Sequence, residues 1–197
     1  MIDIQKEIEK KFPNMQKKDT FLKKSLFKIA KKIVHEDSIN QFLAQNEHLK
    51  GFEFVDAVLD FFDFDYTVSS SDLQNIPTSG KVVIIANHPL GGLDALCLLR
   101  LISQVRQDIK IIANDFLAGF DALNSLIITI DNYKAQQSKT DIKKIYEALK
   151  NEEAVIIFPA GEVSRATPKG IKDPVWSKGF LNFAQNTNAP ILPIFLD

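Results

Sequence analysis

The chain has 197 residues, 45% of them hydrophobic, enough for one α/β domain with a substantial core and too few for several. Its formal net charge of −1 excludes a general nucleic-acid binder, and no apolar run approaches the roughly 18–20 residues that a bilayer-spanning helix needs. The charge is unevenly placed: residues 1–35 hold ten Lys against four acids, a net of +6, and the remainder holds a net of −7.

The first 62 residues read as helical. Over residues 21–34, Phe21, Leu22, Leu26, Ile29, Ile33 and Val34 recur near a 3.6-residue spacing, and Lys23, Lys24, Lys28, Lys31 and Lys32 fill most of the gaps. A basic amphipathic helix of this kind suits an anionic membrane surface, where each Lys near the leaflet contributes about 1 kcal/mol. The segment lacks the apolar centre of a secretory signal. A second helix is predicted over residues 38–48, with Ser38 as its N-cap, and a third over 52–62 after Gly51. The expected organisation is a basic helical arm over 1–50 and a main domain over 51–197.

Beyond residue 62, strand and helix patterns alternate. Residues 65–70 read as a short strand and 69–80 as a polar loop. Residues 81–86 read as a strand, apolar at the consecutive positions 82–86, the pattern of a strand buried on both faces at the centre of a parallel sheet. A helix is predicted over 93–105, strands over 109–113 and 126–130, and an amphipathic helix over 140–150. A second buried strand is predicted over 154–158, a helix over 178–186 and a last strand over 191–196. The fold class is therefore α/β, a mostly parallel central sheet flanked by helices. Sites in such sheets open beyond the carboxyl ends of the strands. The chain stops at Asp197 just after an apolar strand, an ending expected of a piece of a longer protein.

Two polar segments follow the two buried strands directly. The first is Asn87-His88-Pro89-Leu90-Gly91-Gly92-Leu93-Asp94. A His and an Asp at a strand–turn–helix junction can form a general base and its orienting carboxylate. The same residues also read as a plain turn with Asp94 capping a helix. The second is Phe158-Pro159-Ala160-Gly161-Glu162-Val163-Ser164-Arg165. It brings an acid, a hydroxyl and a cation to the same sheet edge, and read alone it is a Pro-Gly turn with a surface Glu–Arg pair.

Together the two segments resemble the glycerophospholipid acyltransferase superfamily, whose members move a fatty acyl group from a thioester to a lysophospholipid or related acceptor. The usual first block has four residues between His and Asp; here there are five, as in the NHPxGxxD variant of the hemolysin-like and ornithine-lipid O-acyltransferase branches. The usual third block, Phe-Pro-Glu-Gly-Thr-Arg-Ser, becomes residues 158–165, with acid and Arg moved C-terminally. Residues 189–194 match the fourth block, an apolar strand around a Pro. The second block is the weakest: Asn132 stands where an acceptor-phosphate Arg is expected. The likeness covers about residues 52–196.

The resemblance implies a glycerol-3-phosphate acyltransferase-like fold. It makes His88 the base and Asp94 its partner, with no covalent acyl-enzyme. It places Asn87, Gly91, Gly92, Gly161, Glu162, Ser164 and Arg165 in substrate binding. Arg165 suits an acceptor phosphate or carboxylate. Glu162 reads equally as a ligand of an acceptor hydroxyl or amine and as the ion-pair partner of Arg165. The absent Arg at Asn132 makes an amino-acid lyso-lipid, such as a lyso-ornithine or lyso-glycine lipid, an alternative to a phosphate-bearing acceptor. The donor is expected to be acyl-carrier protein or acyl-CoA, used as substrate, with no resident cofactor or metal. The setting is expected to be the cytoplasmic face of a membrane, held by the Lys-rich arm, whose lysines can instead dock an acidic carrier protein. A lipid-binding module without turnover, and a thioesterase or lipid hydrolase, are the rival readings.

Other candidates read as structural. His35 and His48 lack metal-ligand spacing and are expected at the surface. Phe52, Phe54, Phe61, Phe62 and Phe64 are expected in the core, with an acyl pocket as the alternative. Trp176 is either an interfacial anchor or a packing lid. Cys97, the single cysteine, lies among Leu96, Leu98 and Leu99 and is expected as a small buried hydrophobe.

Overall fold

The computed structural model describes residues 3, 35–113, 117, 119–130, 139–168 and 170–197. The chain divides into two compact units, Met1–Leu49 and Lys50–Asp197. In the first unit, α1 spans Glu36–Gln45. It begins ahead of the expected Ser38 cap, after His35 in the left-handed region at φ 55°, so Ser38 lies inside the helix. Glu36 and Asp37 occupy its first turn, where the helix dipole favours anions. The basic helix expected over 21–34 lies outside the described residues.

The second unit opens with α2 (Gly51–Phe61) and the short α3 (Ser70–Leu73). Then come β1 (Val82–Ala86), α4 (Gly92–Ser103), β2 (Ile109–Ala113), a 3-10 turn at Asp121–Leu123 and β3 (Ile127–Thr129). They are followed by α5 (Lys139–Lys150), β4 (Ala154–Ile157), a hairpin of β5 (Arg165–Thr167) and β6 (Gly170–Lys172), α6 (Gly179–Thr187) and β7 (Ile191–Ile194). Five strands form one sheet in the order β3–β2–β4–β1–β7, every neighbouring pair parallel. The α/β class expected from the sequence is the fold observed.

Every residue of β1 and β4 is buried, which is why both read as unbroken apolar runs. Successive side chains point to opposite faces. Val83, Ile85, Val155, Ile157 and Ile128 share one core layer with Ile145 and Leu149 of α5 and Phe183 and Ala184 of α6. α2 and α4 pack on each other, and α4 packs on β2. Full burial of each Ile, Leu or Val stabilises the fold by about 1.5–3 kcal/mol. Among the described residues β7 is an edge strand paired only with β1, and it tolerates Pro193, which has no N–H to donate.

One expectation is corrected, and one element is added. The strand expected over residues 65–70 is absent: residues 65–69 have no regular structure and Ser70 opens α3. The Ser69 hydroxyl instead accepts from the Asp72 amide at 3.1 Å and starts α3, the local competition that Ser offers a strand. The segment after residue 164, to which the sequence reading assigns no element, contains the β5–β6 hairpin, registered through Arg165 opposite Lys172 and Ala166 opposite Ile171.

At the amino ends of the strands, Arg106 is buried and forms a clamp. Its guanidinium donates to both carboxylate oxygens of Asp108 at 2.7 and 2.6 Å, to Gly80 O at 2.7 Å, to Glu152 O at 3.0 Å and to Pro77 O at 3.2 Å. One side chain thus ties the entries to β1, β2 and β4 and leaves their carboxyl ends to the site.

Candidate active site

β1 and β4 are parallel neighbours, with Ile85 opposite Ile157. Their carboxyl ends therefore lie side by side, and the two polar segments leave the sheet at the same edge. This parallel adjacency brings together groups that are about 70 residues apart in sequence.

His88 Nδ1 lies 3.0 Å from Asp94 Oδ2. An ionised carboxylate only accepts, so Nδ1 carries the proton, and Nε2 is the nitrogen left with a lone pair. Asp94 is 3% exposed, and the same Oδ2 accepts the amides of Leu90 at 2.8 Å and Gly91 at 3.0 Å. Asp94 is the third residue of α4 and Gly91 is its N-cap, so the expected Asp cap is corrected; the Asp94 carboxylate instead reaches back to the amides ahead of the helix and also hydrogen-bonds the imidazole. The His88 ring also stacks on Phe158, centroids 3.9 Å apart and planes inclined by 20°. A carboxylate at one edge and an aromatic face together fix the ring.

Gly91 is buried at φ 78°, ψ −130°, a conformation that is essentially closed to L side chains. A Cβ there would meet Val163 Cγ2 at 3.3 Å. Gly92 is the first residue of α4, with open space around its Cα. Gly161, at φ 71°, likewise faces open space.

A cavity of about 280 Å³ is lined by His88, Gly91, Gly92 and Gly161, and by apolar side chains that include Ile112, Ile130, Ile157, Phe180 and Phe183. It combines polar groups, His88 among them, with a largely apolar wall, the usual make-up of a ligand site. Of the Phe cluster, Phe54 is buried in the core, while Phe61 and Phe62 are exposed and meet edge to face at 5.1 Å. None of the five lines this cavity.

The remaining sequence candidates take other positions. Asn87 donates to Leu196 O at 2.7 Å and accepts from Leu196 N at 2.7 Å, so its amide is engaged with the backbone that follows β7. Glu162 and Arg165 form an exposed ion pair, with Arg165 Nη2 2.8 Å from both carboxylate oxygens. Hydrogen bonding to Glu162, then its charge, raises the Arg165 pKa further. Neither residue lines the cavity. Ser164 donates its amide to His88 O at 2.8 Å and its hydroxyl to Asp173 Oδ1. Asn132 lies outside the described residues.

Asp173 was missed by sequence reasoning. Its Oδ1 accepts from the His88 amide at 3.3 Å as well as from Ser164, and its Oδ2 accepts from Trp176 Nε1 at 2.7 Å. Burial alone would raise its pKa, but the hydrogen bonds from Ser164, Trp176 and His88 outweigh that and hold it below the usual carboxylate range. The Asp-x-x-Trp spacing is visible in the sequence. Contact with a residue 85 positions away is not.

Cys97 is buried, and burial, followed by the nearby Asp94 charge, pushes its thiol up to about 11. His35 and His48 are exposed. Among the described residues no helix is long and apolar enough to cross a membrane.

A family model described as acyltransferase matches residues 8–197. The chain is 30% identical over 198 residues to the lyso-glycine lipid O-acyltransferase of Phocaeicola vulgatus, a match that covers the whole of this chain and 69% of that protein. It is 30% identical over 195 residues to the lyso-glycine lipid O-acyltransferase of Bacteroides thetaiotaomicron, covering 98% of this chain and 70% of that one. No solved structure matches.

Proposed function

This chain belongs to the acyltransferase family, and from that premise we propose that it esterifies a lyso-lipid hydroxyl with a fatty acyl group taken from a thioester donor. The observation that carries the reading is the His88–Asp94 pair beside an apolar cavity at one edge of a parallel sheet.

In the proposed reaction, His88 Nε2 takes the proton of the acceptor hydroxyl as its oxygen attacks the thioester carbonyl. Asp94 holds the reactive tautomer and offsets the imidazolium charge. The tetrahedral intermediate collapses with cleavage of the C–S bond. The imidazolium returns the proton to the departing thiolate, so an ester and a free thiol are formed. The amides of Leu90 and Gly91 are engaged by Asp94. The Gly92 amide, at the positive end of α4, is the donor assigned to the developing oxyanion. The hydrocarbon wall of the cavity takes the acyl chain.

Two features favour an amino-acid lyso-lipid as acceptor. Both named relatives are lyso-glycine lipid O-acyltransferases, and an Arg is absent at Asn132. Arg165 would then exchange its Glu162 partner for the headgroup carboxylate, which a guanidinium fork fits. The donor is acyl-carrier protein or acyl-CoA. Residues 51–197 are the catalytic domain, and the basic arm over 1–50 holds it at the cytoplasmic face of an anionic membrane.

The test offers purified protein an acyl thioester together with lyso-glycine lipid or lysophosphatidic acid, beside His88→Ala. His88-dependent acylation of the lyso-glycine lipid supports the reading. Release of free fatty acid without either acceptor would move it to a hydrolase.

A further inference from the structure

Both the carbonyl and the amide of His88 are held by one pair of residues, Ser164 through its backbone amide and Asp173 through its carboxylate. The His88 carbonyl accepts the Ser164 amide at 2.8 Å, and the His88 amide donates to Asp173 Oδ1 at 3.3 Å. The Ser164 hydroxyl donates to that same Oδ1. The result is a closed loop of hydrogen bonds: His88 O to Ser164 N, Ser164 Oγ to Asp173, Asp173 to His88 N.

The other carboxylate oxygen, Oδ2, reaches the Trp176 indole at 2.7 Å. Next in the chain, Ser177 donates its amide to Pro159 O at 2.8 Å. Ser177, Gly179 and Phe180 all line the cavity. Asp173 therefore joins three pieces of the site: the exit of β1, the exit of β4, and the wall that leads into α6.

We propose that Asp173, with Ser164, is a positioning residue for His88, a backbone clip that sets where the imidazole stands against the cavity wall. The assignment rests on His88 being the base. Asp94 and Phe158 fix how the ring is turned. The clip fixes where its backbone sits, which neither of them does. Displacing a reacting group by about 1 Å is enough to cost on the order of 100-fold in rate. Three donors converge on Asp173, and one of them is a hydroxyl that can also accept. Asp173→Asn keeps the shape but loses one acceptor: with its oxygen toward His88 and Ser164 it turns an N–H group on the Trp176 indole, and flipped it turns one on the His88 amide. Ser164→Ala removes the hydroxyl arm and leaves the Ser164 amide in place.

The test compares wild type, Asp173→Asn, Ser164→Ala and the double variant in the acyl-transfer assay, with unfolding midpoints measured in parallel. Asp173→Asn is expected to lower kcat by roughly 10- to 100-fold while KM for the acceptor changes less than about threefold. The double variant is expected to fall no further than Asp173→Asn alone, because both act through one clip. A kcat within about twofold of wild type, or a loss carried by KM alone, would overturn the proposal.

A second arm needs no turnover and so separates this proposal from the acyl-transfer reading. The chain has three histidines, and His88→Ala identifies the His88 signals by difference. The ring Cε1–H resonance of His88 is expected to move in Asp173→Asn and in Ser164→Ala while those of His35 and His48 stay put. An unmoved His88 resonance in folded variants would overturn the proposal even if wild type were inactive toward every acceptor offered.

Discussion

His88 carries the account at the scale of single residues. Its ring is held by Asp94 and Phe158, so its loss removes the proposed base without removing a large core side chain. His88→Ala is expected to lower kcat by about 100- to 10,000-fold, the usual worth of a positioned base, with little change in the unfolding midpoint. Asp94→Ala should cost both activity and stability, because the oxygen that meets His88 also accepts the Leu90 and Gly91 amides at the start of α4. The stability part is expected at about 1 kcal/mol, readable by urea denaturation. Cys97 gives an opposite kind of prediction. Its thiol is buried and pushed up to about 11, so it should resist iodoacetamide in the native protein at neutral pH and react once the chain is unfolded.

The turn between β1 and α4 shows what an element contributes. It must bring His88 out of the sheet and start a helix within a few residues, and Gly91 makes that possible at φ 78°. Gly91→Ala puts a Cβ in that conformation and 3.3 Å from Val163 Cγ2. The expected cost is about 1–3 kcal/mol in stability, with a fall in activity as the exits of β1 and β4 are pushed apart. Gly92→Ala meets nothing within 4 Å and serves as the control, expected to match wild type in urea.

The elements also show what the sequence made legible. β1 and β4 were readable because burial on both faces leaves only apolar residues, and their polar exits stood out against that background. The helix starts were less readable: Glu36 and Asp37 began α1 where Ser38 was expected to cap it. The β5–β6 hairpin went unread because its six residues are all exposed and so carry no hydrophobic alternation. Asp173 and Arg106 went unread for a different reason. Each works through partners far away in the chain, at 85 positions for His88 and up to 46 for Glu152, and local pattern holds no record of such contacts.

In the Lys50–Asp197 unit as a whole, the two ends of the sheet do different work. The carboxyl ends hold the candidate site, and the amino ends are bound by Arg106. Removing that guanidinium leaves the carbonyls of Pro77, Gly80 and Glu152 without it. Arg106→Met is therefore expected to cost about 3–5 kcal/mol in stability while leaving kcat of the folded protein unchanged. Asp108 adds a pH dependence. Hydrogen bonding from Arg106 holds its carboxyl below the usual carboxylate range despite partial burial. Its stabilisation is then fully present above an unfolded pKa of about 3.9 and is lost as pH falls through the lower folded value. The urea midpoint of wild type should exceed that of Asp108→Asn by a constant margin above about pH 4.5, and the two should converge in stronger acid.

The most direct test of the central claim is acyl transfer from a labelled thioester donor to lyso-glycine lipid, measured for wild type and for folded His88→Ala side by side. The account predicts labelled diacylated product from wild type and a loss of at least about 100-fold in the variant. Equal product from both proteins would contradict it, and so would no product from wild type with lyso-glycine lipid or lysophosphatidic acid.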